Sequence, residues 1–65
     1  MAKSSLPKYE AIIYWSAEDS AFIAEVPELP GCAADGQSHG DALANAWVVA
    51  REWIETARML GRPIP

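Results

Sequence analysis

Residues Ala21 to Cys32 read AFIAEVPELPGC, and the change of character at Pro27 decides how the chain is organised. Ala21 to Val26 is a short run of aromatic, β-branched and small apolar residues, the composition of a strand. Pro27 to Gly31 (PELPG) then brings two prolines, which lack the N–H that a strand ladder needs, ahead of a glycine that tolerates positive φ. The strand therefore stops in a turn.

Toward the N-terminus, Lys8 to Trp15 (KYEAIIYW) has the same strand-like composition, and Ser16 to Ser20 (SAEDS) is a short polar link. Two strands joined this way imply an antiparallel hairpin. Met1 to Pro7 reads as a polar, frayed start, which leaves residues 8–65 as a single domain. On the other side of the turn, Cys32 to Gln37 (CAADGQ) reads as a short third strand built from poor strand formers.

A long helix follows. Ser38 is a good N-cap, Asp41 three residues on resembles the second half of a capping box, and Gly61 and Pro63 end the pattern. The expected span is Gly40 to Leu60. At about 100° per residue, Leu43, Ala46, Trp47, Val49, Ala50, Trp53, Ile54, Ala57 and Leu60 fill an arc of roughly 160°, whereas one sheet usually takes about 100°. Trp47 and Trp53 fall near opposite sides of this arc. Two readings stay open: the rings merely flank a small core, or one shoulder meets another protein. The fold class expected is α+β, a small antiparallel sheet of ββ(β)α order packed by one long helix.

Composition narrows the functions. The chain has 65 residues, 51% of them apolar, with three Trp, two Tyr and one Phe. That argues for a folded domain too small to be comfortable alone. Cys32 is the only cysteine, so no internal disulfide staples the fold, and it fits a reducing cytoplasm. Cys32 and His39 supply one metal ligand each, against the four of a structural zinc site. Oligomerisation, to a dimer or tetramer, is the remaining stabiliser. No apolar run approaches a membrane span, and Met1 to Lys8 does not read as a signal peptide. Nine acids against five bases give a net charge of −4, which disfavours direct nucleic-acid binding and favours a basic partner.

Particular residues carry a family resemblance. Phe22 to Cys32, with Val26-Pro27-Glu28-Leu29-Pro30-Gly31-Cys32 at its end, resembles the V-P-x-L-P-G-C signature of the HicB antitoxin family. Gly36-Gln37-Ser38 followed by Asp41-Ala42-Leu43-Ala44-Asn45-Ala46 is similar to that family's G-x-T/S and E-A-L-x-N-A block. Gly61 to Pro65 is similar to its G-x-P-I-P. The three blocks cover about Tyr9 to Pro65 in order. The resemblance implies a partial ribonuclease-H-like fold and an antitoxin that binds and masks a small basic HicA-like toxin, an mRNA-cleaving protein. Family members commonly add a C-terminal DNA-binding domain; here the chain stops at Pro65 and reads as a short stand-alone form, so operator binding is not carried over.

The candidate interface residues are Trp47, Val49 and Trp53 on the helix, Leu29 and Pro30 in the Pro-Gly turn, and Glu18 and Asp19 in the hairpin link. Acids would face toxin Lys and Arg. No catalytic residue, cofactor or metal ligand is expected. Glu10, Asp35 and Glu52 are the only carboxylates that could converge as in a two-metal nuclease. His39 has no nucleophile or second histidine arranged around it, and Cys32 reads as a small buried hydrophobe. The expected function is toxin neutralisation by protein contact. The alternatives are an orphan HicB-like module that binds another protein or itself, and a metal-dependent nuclease.

Overall fold

The computed structural model describes residues 9–65; the expected frayed start at residues 1–7, and Lys8 of the expected first strand, lie outside them. The elements run β1 (Ile12–Ser16), β2 (Ala21–Glu25), β3 (Ala33–Gly36) and α1 (His39–Met59). The strands form one antiparallel sheet in the order β1-β2-β3, and α1 packs on one face of it, giving the expected ββ(β)α arrangement.

β1 begins four residues later than the sequence suggested and ends one later. Its ladder with β2 runs from Ile12↔Glu25 to Ser16↔Ala21. The late start has a local cause. Val26 gives its N–H to the Cys32 carbonyl at 3.0 Å, on the β3 side. The next residue turned toward β1 is therefore Pro27, which has no N–H to give. At the other end, Ser16 closes the hairpin loop: its Oγ donates to Asp19 Oδ2 at 2.9 Å and accepts from the Asp19 N–H at 3.3 Å. Ser20 takes a positive φ of 50° just before β2 begins.

The loop from Pro27 to Gly31 is held by two tight turns, Leu29 N–H to the Val26 carbonyl at 3.0 Å and Cys32 N–H to the Leu29 carbonyl at 2.9 Å. Gly31 supplies the positive φ, 82°, that the second needs. The result turns Leu29 inward, where it is fully buried.

β3 is four residues, Ala33 to Gly36, two fewer than expected, and tertiary contacts hold it despite its poor composition. Its pairs with β2 run from Phe22↔Gly36 to Glu25↔Ala33. A side chain at Gly36 would lie 2.4 Å from the Ala42 backbone nitrogen, so the glycine is what lets the helix start press against the strand. Asn45 Nδ2 donates to the Asp35 carbonyl at 2.8 Å, tying the helix to the same strand.

α1 starts one residue before the expected span and ends one before it. Ser38 caps it, Oγ accepting from the Asp41 N–H at 3.1 Å. At the far end Arg62 N–H reaches the Ala57 carbonyl (2.8 Å) and Gly61 N–H the Arg58 carbonyl (3.2 Å), with Gly61 at φ 70°. These paired bonds are a Schellman motif.

The buried stripe of α1 is alanine: Ala42, Ala46, Ala50 and Ala57. With Ala24, Val26, Leu29 and Cys32 they make a core in which Leu29 and Val26 are the largest fully buried side chains. This corrects the arc read from sequence. Ala42 belongs to the buried stripe, whereas Leu60 follows the helix and is 60% exposed. Leu43, Trp47, Val49, Trp53 and Ile54 are half-buried flanks. Small residues on both sides bring helix and sheet close, so only a narrow stripe is swallowed and large side chains stay at the rim.

Candidate functional site

α1 lies chiefly over β3 and β2 and least over β1. Asn45 and Trp53 identify the shoulder on the β3 side, because the first bonds Asp35 and the second bonds the loop before β3. Trp53 Nε1 donates to the Pro30 carbonyl at 2.9 Å. A half-buried indole thus fixes the Pro27 to Gly31 loop (PELPG) against the helix, its polar edge satisfied and part of its ring left at the surface.

Beside this contact is an open groove of about 510 Å³ lined by Pro30, Val49, Glu52, Trp53, Thr56, Ala57 and Arg62. Three expected interface residues, Pro30, Val49 and Trp53, therefore meet in one place. Leu29 belongs to the same loop but is wholly buried, so its side chain is part of the protomer's core and presents no surface. Trp47 is on the opposite shoulder of the helix, about 120° around from Trp53 at 100° per residue. Glu18 and Asp19 are exposed in the β1–β2 loop, at the other end of β2 from the groove. The charged residues of the groove's lining are instead Glu52 and Arg62. Glu28 Oε1 accepts the Glu10 N–H at 3.0 Å, fastening the chain ahead of β1 to the loop.

Glu52, Thr56, Ala57 and Arg62 were not among the expected interface residues. The signal for Arg62 was present in Gly61: a Schellman turn folds the chain back along the helix, bringing the next residue beside its last turns. The tail continues to Tyr9, whose hydroxyl donates to the Pro65 carbonyl at 2.6 Å.

Other singled-out residues have quieter surroundings. Cys32 is buried, its Sγ 3.8 Å from the Ala46 carbonyl, and burial pushes its thiol pKa up, away from the reactive thiolate. His39 is exposed and its ring rests against Phe22, centroids 4.2 Å apart. Among the described residues no three His, Cys, Asp or Glu side chains gather where they could hold a metal ion; Glu10, Asp35 and Glu52 do not converge. Nor is any helix among them long and apolar enough to cross a membrane.

No family profile and no solved structure matches the chain. Two curated proteins do. A UPF0150 protein of Synechocystis sp. is 37% identical over 57 residues, covering 88% of this chain and 77% of the relative. A UPF0150 protein of Thermoplasma acidophilum is 36% identical over 58 residues, covering 89% and 83%.

Proposed function

Because this chain belongs to the UPF0150 family, we propose that it is a protein-binding module of the antitoxin type, one that covers the RNA-cleaving face of a small basic HicA-like toxin. The observation that carries this reading is the groove at Trp53. It joins a pre-formed, hydrogen-bonded aromatic side chain to an exposed proline, with Glu52 and Arg62 as the charged residues of its lining. Tryptophans held in packed surface pockets are what protein hot spots use, and the chain's net charge of −4 suits a partner rich in Lys and Arg. The HicB-like blocks support the same reading, since V-P-E-L-P-G-C builds the loop and its buried Leu29. In this account the protein acts by binding in the cytoplasm, without turnover and without a cofactor.

The test uses the purified chain and the purified product of a basic reading frame adjoining its gene. RNA cleavage by that product should stop at a fixed stoichiometry of added chain, and the chain alone should leave RNA intact in magnesium or manganese. A neighbouring ribonuclease that works undiminished in excess chain would reject the antitoxin role. The core favours a second reading in which the module binds itself, because alanine, valine and leucine alone bury little area.

A further inference from the structure

The two edges of the sheet are treated differently. Strand residues alternate the side to which they direct N–H and C=O, and the Val26-to-Cys32 bond sets the phase. On β3, Asp35 points away from β2, and Asn45 from the helix takes its carbonyl. On β1, Ile13 and Trp15 point away from β2, and among the described residues β1 has a neighbouring strand on one side only. β1 reads Ile-Ile-Tyr-Trp-Ser, with none of the charges or prolines that usually guard an edge. Its side chains are open as well: Ile12 is 48% exposed, Tyr14 43% and Trp15 54%.

We infer that β1 is a self-association edge, pairing antiparallel with β1 of a second copy across a two-fold axis to make one six-stranded sheet. The occupant follows from the strand itself. A two-fold axis perpendicular to the sheet keeps each face on its own side, so paired residues must share a face. Of the registers that remain, one pairs the whole strand: Tyr14 opposite Tyr14 of the second copy, Ile13 opposite Trp15, and Ile12 opposite Ser16. In that register the outward-pointing residues, Ile13 and Trp15, exchange their N–H and C=O groups, and Tyr14 sits at a non-hydrogen-bonded position. Ile with Trp is a favoured aromatic–β-branched pair, and it occurs twice.

Charge and area agree with a second copy. Two chains of net charge −4 repel, and β1 offers them an uncharged seam. A standard interface takes about 800 Å² from each partner, near one sixth of this chain's 4614 Å² surface. The strand alone falls short of that. The helix leaves β1 least covered, however, and the shoulder bearing Trp47 and Ile54 faces that side. Across the axis two such shoulders close over Trp15 and Ile13, enlarging a core that is small in one copy.

The test has three readouts on the full chain. Sedimentation equilibrium at tens of micromolar should give twice the 7.1 kDa protomer mass, and Ile12→Lys should return it to one protomer while the far-ultraviolet circular dichroism is kept. The Ile13 and Trp15 amides should exchange slowly in the wild type and at least tenfold faster in Ile12→Lys. Tyr14→Cys should form a disulfide-linked dimer on mild oxidation, since non-hydrogen-bonded pairs bring Cα atoms to about 4.5 Å, within the range a disulfide spans; Ile12→Cys should do so only when mixed with Ser16→Cys. A monomeric wild type overturns the inference. So does a dimer that Ile12→Lys leaves intact and Tyr14→Cys fails to cross-link.

Discussion

The Trp53 indole nitrogen lies 2.9 Å from the Pro30 carbonyl oxygen, a hydrogen bond between residues 23 positions apart that fastens the loop after β2 to the last third of α1. It keeps the loop in place over Leu29 and shapes the groove at the same time. Stability and the proposed binding surface therefore share one side chain.

That sharing can be divided by mutation. Trp53→Phe keeps a ring but removes the donor, and should cost about 1 kcal/mol, the net value of a hydrogen bond. Trp53→Ala also removes packing and should cost about 3 kcal/mol, the low end for large aromatic truncations because the ring is only half-buried. Urea denaturation followed by circular dichroism checks both. Equal losses in the two variants would mean that the hydrogen bond, not the ring, holds the loop.

Two glycines should respond in opposite directions to alanine. Gly36→Ala places a Cβ 2.4 Å from the Ala42 nitrogen and 2.7 Å from the Asp41 carbonyl carbon, backbone atoms that cannot turn aside. The strand and helix start must part, at about 2 kcal/mol or more. At Gly40, in the first turn of α1, the nearest atom to a new Cβ is Ser38 Oγ at 4.0 Å. Gly40→Ala should therefore stabilise by about 0.5–1 kcal/mol through helix propensity and a less flexible unfolded chain. Thermal melts of the two variants on either side of the wild type are the expected result.

Tyr14 gives a pH signature. Its hydroxyl donates to Glu25 Oε2 at 2.7 Å across the β1–β2 pair, and this bond, with lesser help from burial and the charges of Glu25 and Asp19, raises its pKa above the ordinary tyrosine value. A raised folded value means the neutral phenol is favoured by folding. The contribution is whole below the unfolded pKa of about 10 and is lost as pH rises through the folded value. Tyrosinate absorbance should therefore appear at higher pH for Tyr14 in the folded protein than in denaturant, and Glu25→Ala should shorten that delay.

Local signals made much of the fold legible. Ser38, Asp41, Gly61 and Pro63 bounded α1 to within one residue at each end, because caps act through neighbours in sequence. β3 was harder: its alanines, Asp35 and Gly36 are poor strand formers, and the contacts from Asn45 and the helix start that hold it are tertiary. The start of β1 shifted because a proline in the loop after β2 ends its ladder. For the candidate site, the opposed shoulders of Trp47 and Trp53 followed from helical geometry, but which shoulder bordered the loop did not. That depended on the Trp53 bond to Pro30. Glu18 and Asp19 parted from the other candidates because the hairpin sends its loop to the far end of the sheet, while Arg62 joined them through the turn at Gly61.

The proposal that the Trp53 groove docks a basic partner has one most direct measurement. The three tryptophans give three indole N–H signals in a nitrogen–proton correlation spectrum of the labelled chain, assignable by single substitutions to Phe. Titration with the purified product of the adjoining basic reading frame should shift or broaden the Trp53 signal to saturation at a fixed stoichiometry, with the Trp15 signal left in place. Saturable binding that moves Trp15 and leaves Trp53 untouched would contradict the account, as would a spectrum unchanged by an excess of that product.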